Sequence, residues 1–428
     1  MTSIISRRTL LKSGTAALSA TALAASFTTP AFAAGRTIKI GVVSPETGPM
    51  AAFAEPTSFV LAEISKAMGG TINVGGVAHP FEFIVRDTQS NPNRAAEVTQ
   101  DLILSEAVDI VLCYGGPENA NPASDQCELN GVPCIASDLP IEPWFYGRGG
   151  NPDVGFDYTF CAFFDVPSYI MAMEAFLAKL DTNKIVGGLW PNDADGVAVS
   201  GAVTNIFGEL GYDIIDPGRF DLPAGSYATQ IAEFRAKNAD IVQGVMPPPA
   251  FTLFWTQCAQ QGYQPKAVIG AKSSEYPASV NPLGDKAIGI SVPVWWTPKF
   301  PYPSSITSQS SMEIARSYEK ASGRQWTAGI GSRHAMVEVI MDALSRTHDI
   351  DDPDSVRDAL AATDIQTVCG QVNFTSGPVP NSSQMGVVMV QWDRAPEGYA
   401  FPLDMLVVDN TFQKAVSIDR EPFPIPYS

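Results

Sequence analysis

Asp109–Ala136 reads DIVLCYGGPENANPASDQCELNGVPCIA, and its texture changes three times. Asp109–Cys113 is a continuous apolar run, the pattern of a strand covered on both faces. Gly115-Gly116-Pro117 interrupts it with turn chemistry. A helix is predicted from about Asn119 to Asn130, and Val132–Ala136 is again strand-like. Strand, helix and strand in immediate succession make a βαβ unit, which requires neighbouring parallel strands.

The same alternation extends in both directions. Upstream, Thr37–Val43 (TIKIGVV) is a strand and Ser44-Pro45-Glu46-Thr47-Gly48-Pro49 a turn. A helix over Thr57–Met68, a strand over Phe81–Arg86 and a helix over Asn93–Glu106 follow. The pattern starts afresh near Tyr158. Helices are predicted over Pro167–Lys179, Gly196–Leu210, Ile231–Lys237 and Phe251–Gln261. Strands fall at Lys184–Trp190, Tyr212–Ile215, Asp240–Val245, Ala267–Ile269 and Ala287–Val292. After Thr297 come three helices, Ser308–Ser322, Ser332–Arg346 and Asp352–Ala362, the last with Asp352 as N-cap and Pro353 at its first position. The tail returns to strands at Gln371–Phe374, Gly386–Trp392 and Leu403–Val408.

The expected fold is therefore α/β, with two doubly wound parallel-sheet lobes joined by a hinge of several crossovers. The N-terminal lobe is expected to hold 34–157 and 299–368, and the C-terminal lobe 158–298 and 369–428. A length of 428 residues suits two cores better than one.

Charge narrows the partners. The chain carries 27 basic against 45 acidic residues, a net charge of −18. Such a surface repels phosphate backbones and anionic head groups, which argues against nucleic-acid and membrane-surface binding. The histidines number 3, His79, His334 and His348, far apart in sequence, so no multi-histidine metal site is expected. His334 and Glu338, spaced i,i+4 on a predicted helix, read as a surface pair.

Residues 1–33 read as a cleavable leader. Ser6-Arg7-Arg8-Thr9-Leu10-Leu11-Lys12 matches the twin-arginine export pattern, and Ala31-Phe32-Ala33 the small-x-small cleavage site. The apolar stretch between them is too short and too rich in Ala, Ser and Thr to span a bilayer. Export leads to a periplasm, where disulfides are permitted. The cysteines number 6, none of them in a CxxC pair, and most lie in apolar elements. They read as buried structural thiols with at most one disulfide among them.

Several strings, in this order and spacing, resemble one family. Ile38-Lys39-Ile40-Gly41-Val42-Val43-Ser44-Pro45-Glu46-Thr47-Gly48 is similar to the opening strand and P-x-TG ligand loop of type I periplasmic substrate-binding proteins of ABC importers, specifically the branched-chain amino acid (Leu/Ile/Val) branch. Asp109–Pro122 with Ala123-Ser124-Asp125 and Gly131-Val132-Pro133 resembles that family's third strand, anchor loop and following elements. Trp190-Pro191-Asn192-Asp193-Ala194-Asp195-Gly196 sits where the family opens its second lobe, and Gly370-Gln371-Val372-Asn373-Phe374 looks like its returning G-x-x-x-F string. The resemblance spans the mature chain. It implies two lobes that close over a small solute and deliver it to membrane permeases, without a cofactor or a metal and as a monomer. A periplasmic sensor reporting to a receptor or kinase is the alternative that the same fold allows.

The family's anchor loop grips a ligand carboxylate with serines or threonines. Here the stretch is Tyr114-Gly115-Gly116-Pro117-Glu118-Asn119, where Pro117 lacks an N–H and Glu118 repels a carboxylate. Ser137-Asp138 in the next loop also departs from the pattern. The ligand class is thereby moved from a standard α-amino acid toward neutral, amide-bearing, aromatic or cationic molecules. Thr47, Tyr114, Gly115, Glu118, Asn119, Ser137 and Asp138 are the ligand-binding candidates from the first lobe. Trp144, Tyr158, Phe160, Trp190 and Trp295 are aromatic candidates at strand ends and crossovers, where the plainer expectation is packing. Asn192, Asp193, Glu275 and Tyr276 complete the set from the second lobe, with helix capping the simpler role for the aspartate. No G-x-S-x-G elbow, phosphate loop, H-E-x-x-H helix or dinucleotide fingerprint is present, so no enzymatic activity is expected.

Overall fold

The computed structural model describes residues 35–427. The leader and its cleavage site lie outside the described residues. From the start of that range, β1 (Ile38–Ser44), β2 (Thr71–Val74), β3 (Val77–Asp87), β4 (Ile110–Tyr114), β5 (Cys134–Ser137) and β6 (Thr159–Phe163) build one sheet. The chain then lays down β7 (Ile185–Leu189), β8 (Asp213–Ile215), β9 (Ile241–Val245), β10 (Ala267–Ala271) and β11 (Ile290–Val294) in another. The tail supplies a two-stranded ribbon, β12 (Asp364–Thr367) with β13 (Gly370–Asn373), and then β14 (Ser382–Gln384), β15 (Val388–Arg394) and β16 (Leu403–Asp409).

The first sheet runs β14-β6-β5-β4-β1-β3-β2, all parallel except the hairpin between β2 and β3. The second runs β16-β15-β11-β10-β9-β7-β8, parallel apart from β15 and β16 at one edge. β4 is buried at every position, as its unbroken apolar run requires in a sheet with helices on both faces. The helix after it spans Pro117–Asn130, with Pro117 in its first turn and left-handed Gly131 receiving its end.

The division between lobes differs from expectation at two places. Thr159–Phe163 pairs with β5, and Ser382–Gln384 pairs with Thr159–Phe163, so both strands belong to the first sheet. The crossings therefore fall at 164–165, 295–310 and 385–387, rather than at 157/158 and 368/369. Sequence texture locates a strand, but it carries no label for which of two sheets the strand enters.

The cysteines are buried thiols as expected, and one further expectation changes. All six cysteines are free and buried; the Sγ atoms of Cys113 and Cys134, on adjacent strands, stand 3.5 Å apart without a bond. His334 and Glu338 are not a surface pair, because the helix Gly329–Arg346 is buried around nearly its whole circumference. His334 meets Ser304 Oγ at 2.8 Å, while Glu338 accepts from Ser305 and from the Val368 N–H. Burial lowers the His334 imidazole to about 4 and lifts the Glu338 carboxyl to about 7.

The crossing after β11 is held by a close approach. The buried indole of Trp296 lies on Gly331, and a Cβ there would stand 2.1 Å from one of its ring carbons. Gly331→Ala is expected to destabilise the protein by about 1–3 kcal/mol, the usual cost of overpacking. Chemical denaturation measures it. A cost under about 0.5 kcal/mol, the range of a neutral surface change, would show that the indole moves aside freely.

Candidate functional site

The carboxyl ends of the parallel strands in both sheets converge on one cavity of about 40 Å³. Its walls are Phe53, Gly116, Asp138 and Phe163 from the first-sheet side, and Tyr169, Asp195, Lys272, Glu275 and Trp295 from the second, with Phe164 at the crossing. This is where ligands sit in open α/β sheets, outside the strand ends. A single water needs roughly 10–15 Å³ by this kind of measure, so the space suits a solute of a few heavy atoms.

Local backbone explains how these side chains arrive. Gly115 and Gly116 adopt φ of 94° and 83°, a turn that only glycine makes without strain, and it brings the main chain beside the cavity. Asp138 and Lys272, directly after β5 and β10, also have positive φ, at 57° and 70°. Non-glycine residues in that region cost energy, and such positions cluster at functional sites.

Two ion arrangements flank the space. Arg333 Nη2 donates to Asp138 Oδ2 at 2.7 Å with both side chains fully buried, and its guanidinium carbon lies 3.0 Å from the centroid of the Tyr114 ring. Lys272 Nζ donates to Asp195 Oδ2 at 2.7 Å and to Glu118 Oε1 at 2.8 Å. Glu118 belongs to the first lobe, whereas Lys272 and Asp195 belong to the second, so this triad spans the cleft. Burial alone would lower the Lys272 ammonium, but Asp195 and then Glu118 outweigh it and hold the lysine charged. Burial pushes the Asp195 carboxyl up against the pull of Lys272, with Glu118 adding to the rise.

Four polar atoms of the cavity walls are buried without a hydrogen-bond partner: Asp138 Oδ1, Asp195 Oδ1, Glu275 Oε2 and Trp295 Nε1. Their residues are 3%, 5%, 2% and 2% exposed. Native interiors seldom leave such groups unmatched, so this concentration marks a place built to receive something polar. The aromatic walls are packed against one another, Phe163 on Trp295 at 4.6 Å and Phe164 stacked on Tyr169 at 4.1 Å.

The family profile described as periplasmic binding protein matches residues 37–396. The chain belongs to the periplasmic binding protein family. Solved structures with similar folds include a leucine-binding protein from Thermotoga maritima, with 20% identity, TM-score 0.71, and 87% of this chain covering 99% of that one. A branched-chain amino acid transporter substrate-binding protein from Streptococcus pneumoniae, in complex with isoleucine, shows 16% identity and TM-score 0.69 over 87% and 99% of the two chains. A solute-binding protein of an ABC transporter from Rhodopseudomonas palustris, in complex with 3,4-dihydroxybenzoic acid, gives 18% identity and TM-score 0.70 over 90% and 99%. A comparison with curated protein sequences returned no match.

Within this periplasmic binding protein, Asp138, Glu275 and Trp295 line the cavity directly. Glu118 stands at its edge through Lys272, and Tyr276 packs on Phe53 at 4.7 Å across the cleft. The other candidates are placed elsewhere. Thr47 bonds Asp87 on the outer loop, and Asn119 ties Thr88 to the Gly115 carbonyl. Gly115 abuts Pro45, and Ser137 donates to the Ala162 carbonyl inside the sheet. Tyr114 places its hydroxyl on Ser44 and its ring under Arg333. Trp144 packs with Phe145 and Phe156, and Phe160 on Phe374. Tyr158 precedes β6, at the strand end away from the cavity, and bonds Asp354. Trp190 lies beneath Arg219 with its indole N–H on Gln243, Asn192 bonds Asp221, and Asp193 caps the helix Ala194–Glu209.

Lys272, Phe53, Phe164 and Tyr169 were not singled out from the sequence. A lone lysine ending an apolar strand (Ala267–Ala271, then Lys272) was the one available signal among them.

Glu275 makes stability depend on pH. Burial lifts its carboxyl to about 8 from 4.5. Between those values the folded chain keeps a proton that the unfolded chain has released, so stability falls as pH rises and the loss is complete above about 8. His334 acts oppositely only below about pH 6.5, and Glu338, lifted to about 7, is half titrated at pH 7 and adds a smaller share to the same fall. The melting temperature is therefore expected to fall from pH 7 to pH 8, and Glu275→Gln to flatten that slope. A wild-type profile that is level over this interval would contradict a neutral Glu275.

Proposed function

We propose that this protein captures a small organic solute between its lobes and delivers it to the permease subunits of an ABC importer in the inner membrane. The cleft cavity at the strand ends, with its unpartnered polar atoms, is the observation that carries the reading. The three crossings act as a hinge: solute binds one lobe, the other closes over it, and the closed form is what the permease engages. Binding, with no chemical step and no cofactor, is all the cycle requires. The protein works as a monomer in a periplasm, exported by the twin-arginine pathway and cleaved after about Ala33. No helix among the described residues is long and apolar enough to cross a membrane.

The test begins with the neighbouring genes: ABC permease and ATPase subunits encoded there are reconstituted in liposomes, with ATP hydrolysis and solute uptake as readouts. Both are expected to depend on added protein and solute. Binding of solute that leaves transport and ATP hydrolysis unchanged would overturn delivery to that permease.

A further inference from the structure

We infer that the solute is a small organic cation bearing at least two N–H donors, an amidinium or primary ammonium, held by Asp138, Asp195 and Glu275 among aromatic faces. This rests on the cavity being the solute site, as proposed above.

The charge balance points to it. Four carboxyl groups face the cavity or its rim, Asp138, Asp195, Glu118 and Glu275, the last keeping its proton until a cation arrives, against two cations. Neither cation is free to neutralise more of the wall: Arg333, behind the lining, gives its Nη2 to Asp138 and stacks its guanidinium on Tyr114 while Nε and Nη1 stay buried without partners, and Lys272 bonds Asp195 and Glu118. What the walls leave unmatched is three carboxyl oxygens, Asp138 Oδ1, Asp195 Oδ1 and Glu275 Oε2. Against them stand the indole N–H of Trp295 and the third ammonium hydrogen of Lys272. A largely apolar cavity whose unmatched wall atoms are mostly carboxyl oxygens is completed by a donor-rich cation, which takes the place of the Glu275 proton, because buried charge is tolerated only when paired.

Two helix N-termini on the cavity side, where a carboxylate would bind, are already filled by the chain. Asp165 accepts from Ser168 N at the start of the helix Val166–Leu177, and Asp193 accepts from Gly196 N at the start of the helix Ala194–Glu209. Gly116 N is taken by the Asp138 carbonyl. These two anion-attracting helix N-termini are thus occupied by the protein's own acids. The remaining wall, Phe53, Phe163, Phe164, Tyr169 and Trp295, presents rings whose faces attract cations and exclude water.

Isothermal titration of the purified protein with two shape-matched series tests this: acetamidinium, acetamide and acetate, then benzamidinium, benzamide and benzoate, with leucine alongside. At least one amidinium is expected to bind about tenfold or more tighter than its amide and its carboxylate, the usual margin of a charge-assisted hydrogen bond. Glu275→Gln keeps the side-chain volume and removes an oxygen with no partner in the fold. It is expected to weaken the amidinium by about tenfold and to leave the amide within a small factor. Tightest binding of acetate, benzoate or leucine would overturn the cation while leaving solute capture standing. An amidinium unaffected by Glu275→Gln would overturn its placement. Failure of every compound to bind would overturn both the ligand class and the use of this cavity.

Discussion

Arg333→Ala is expected to lower the unfolding free energy by about 3–5 kcal/mol, because removing one partner of a fully buried ion pair strands the other. Arg333 and Asp138 are both enclosed, at 2.7 Å, and the guanidinium carbon lies 3.0 Å from the Tyr114 ring centroid. Alanine deletes the charge, the cation–π contact and the packing of the long side chain together. Asp138→Asn in the same chain removes the stranded charge, so the double variant should regain a large part of the loss. Urea unfolding of the four proteins closes the cycle. A single-variant loss below about 1 kcal/mol would mean that Asp138 finds other compensation, since values that small are typical of exposed pairs.

Lys272→Met carries the second large effect, and it reaches beyond stability. Asp195 is buried and loses its cation, at a cost of about 3–5 kcal/mol by the same physics. Glu118, whose side chain is 26% exposed, contributes much less because solvent screens it. The triad also joins the two lobes, so its loss leaves two carboxylates facing each other across the cleft. The lobes are expected to part. Small-angle scattering would read a larger radius of gyration, and Asp195→Asn added to Lys272→Met should recover much of both losses. An unchanged radius together with unchanged stability would show that closure rests on apolar contacts such as Phe53 on Tyr276.

The βαβ alternation was legible because each buried strand is a short apolar run and each helix repeats its apolar positions at the helical period. Part of the candidate cavity was legible for a topological reason. Asp138 and Trp295 directly follow strands, and Glu275 comes four residues after β10, so any α/β reading points them at the ligand face. The aromatic candidates were mostly misdirected, since rings at strand ends serve the core as readily as a cleft; Trp144 and Phe160 are enclosed by other rings. The helix Gly329–Arg346 shows the limit of periodicity. Met336, Val339, Ile340, Ala343 and Leu344 form one apolar stripe, yet His334 and Glu338 on the remaining surface are buried as well, and Arg333 is a charge within the stripe itself. A stripe marks the face that must be covered and does not forbid covering the others.

Sequence alone thus determined the α/β class, the two-lobe plan and the acidic surface, all of which depend on local composition and on near-neighbour spacing. The tertiary structure decided which sheet takes β6 and β14, and how the charges pair. Arg333 meets Asp138 over 195 residues of chain, and Lys272 meets Glu118 over 154. Such pairings arise only when separate crossovers bring strand ends together, and no local rule of propensity or period encodes distance between residues that far apart.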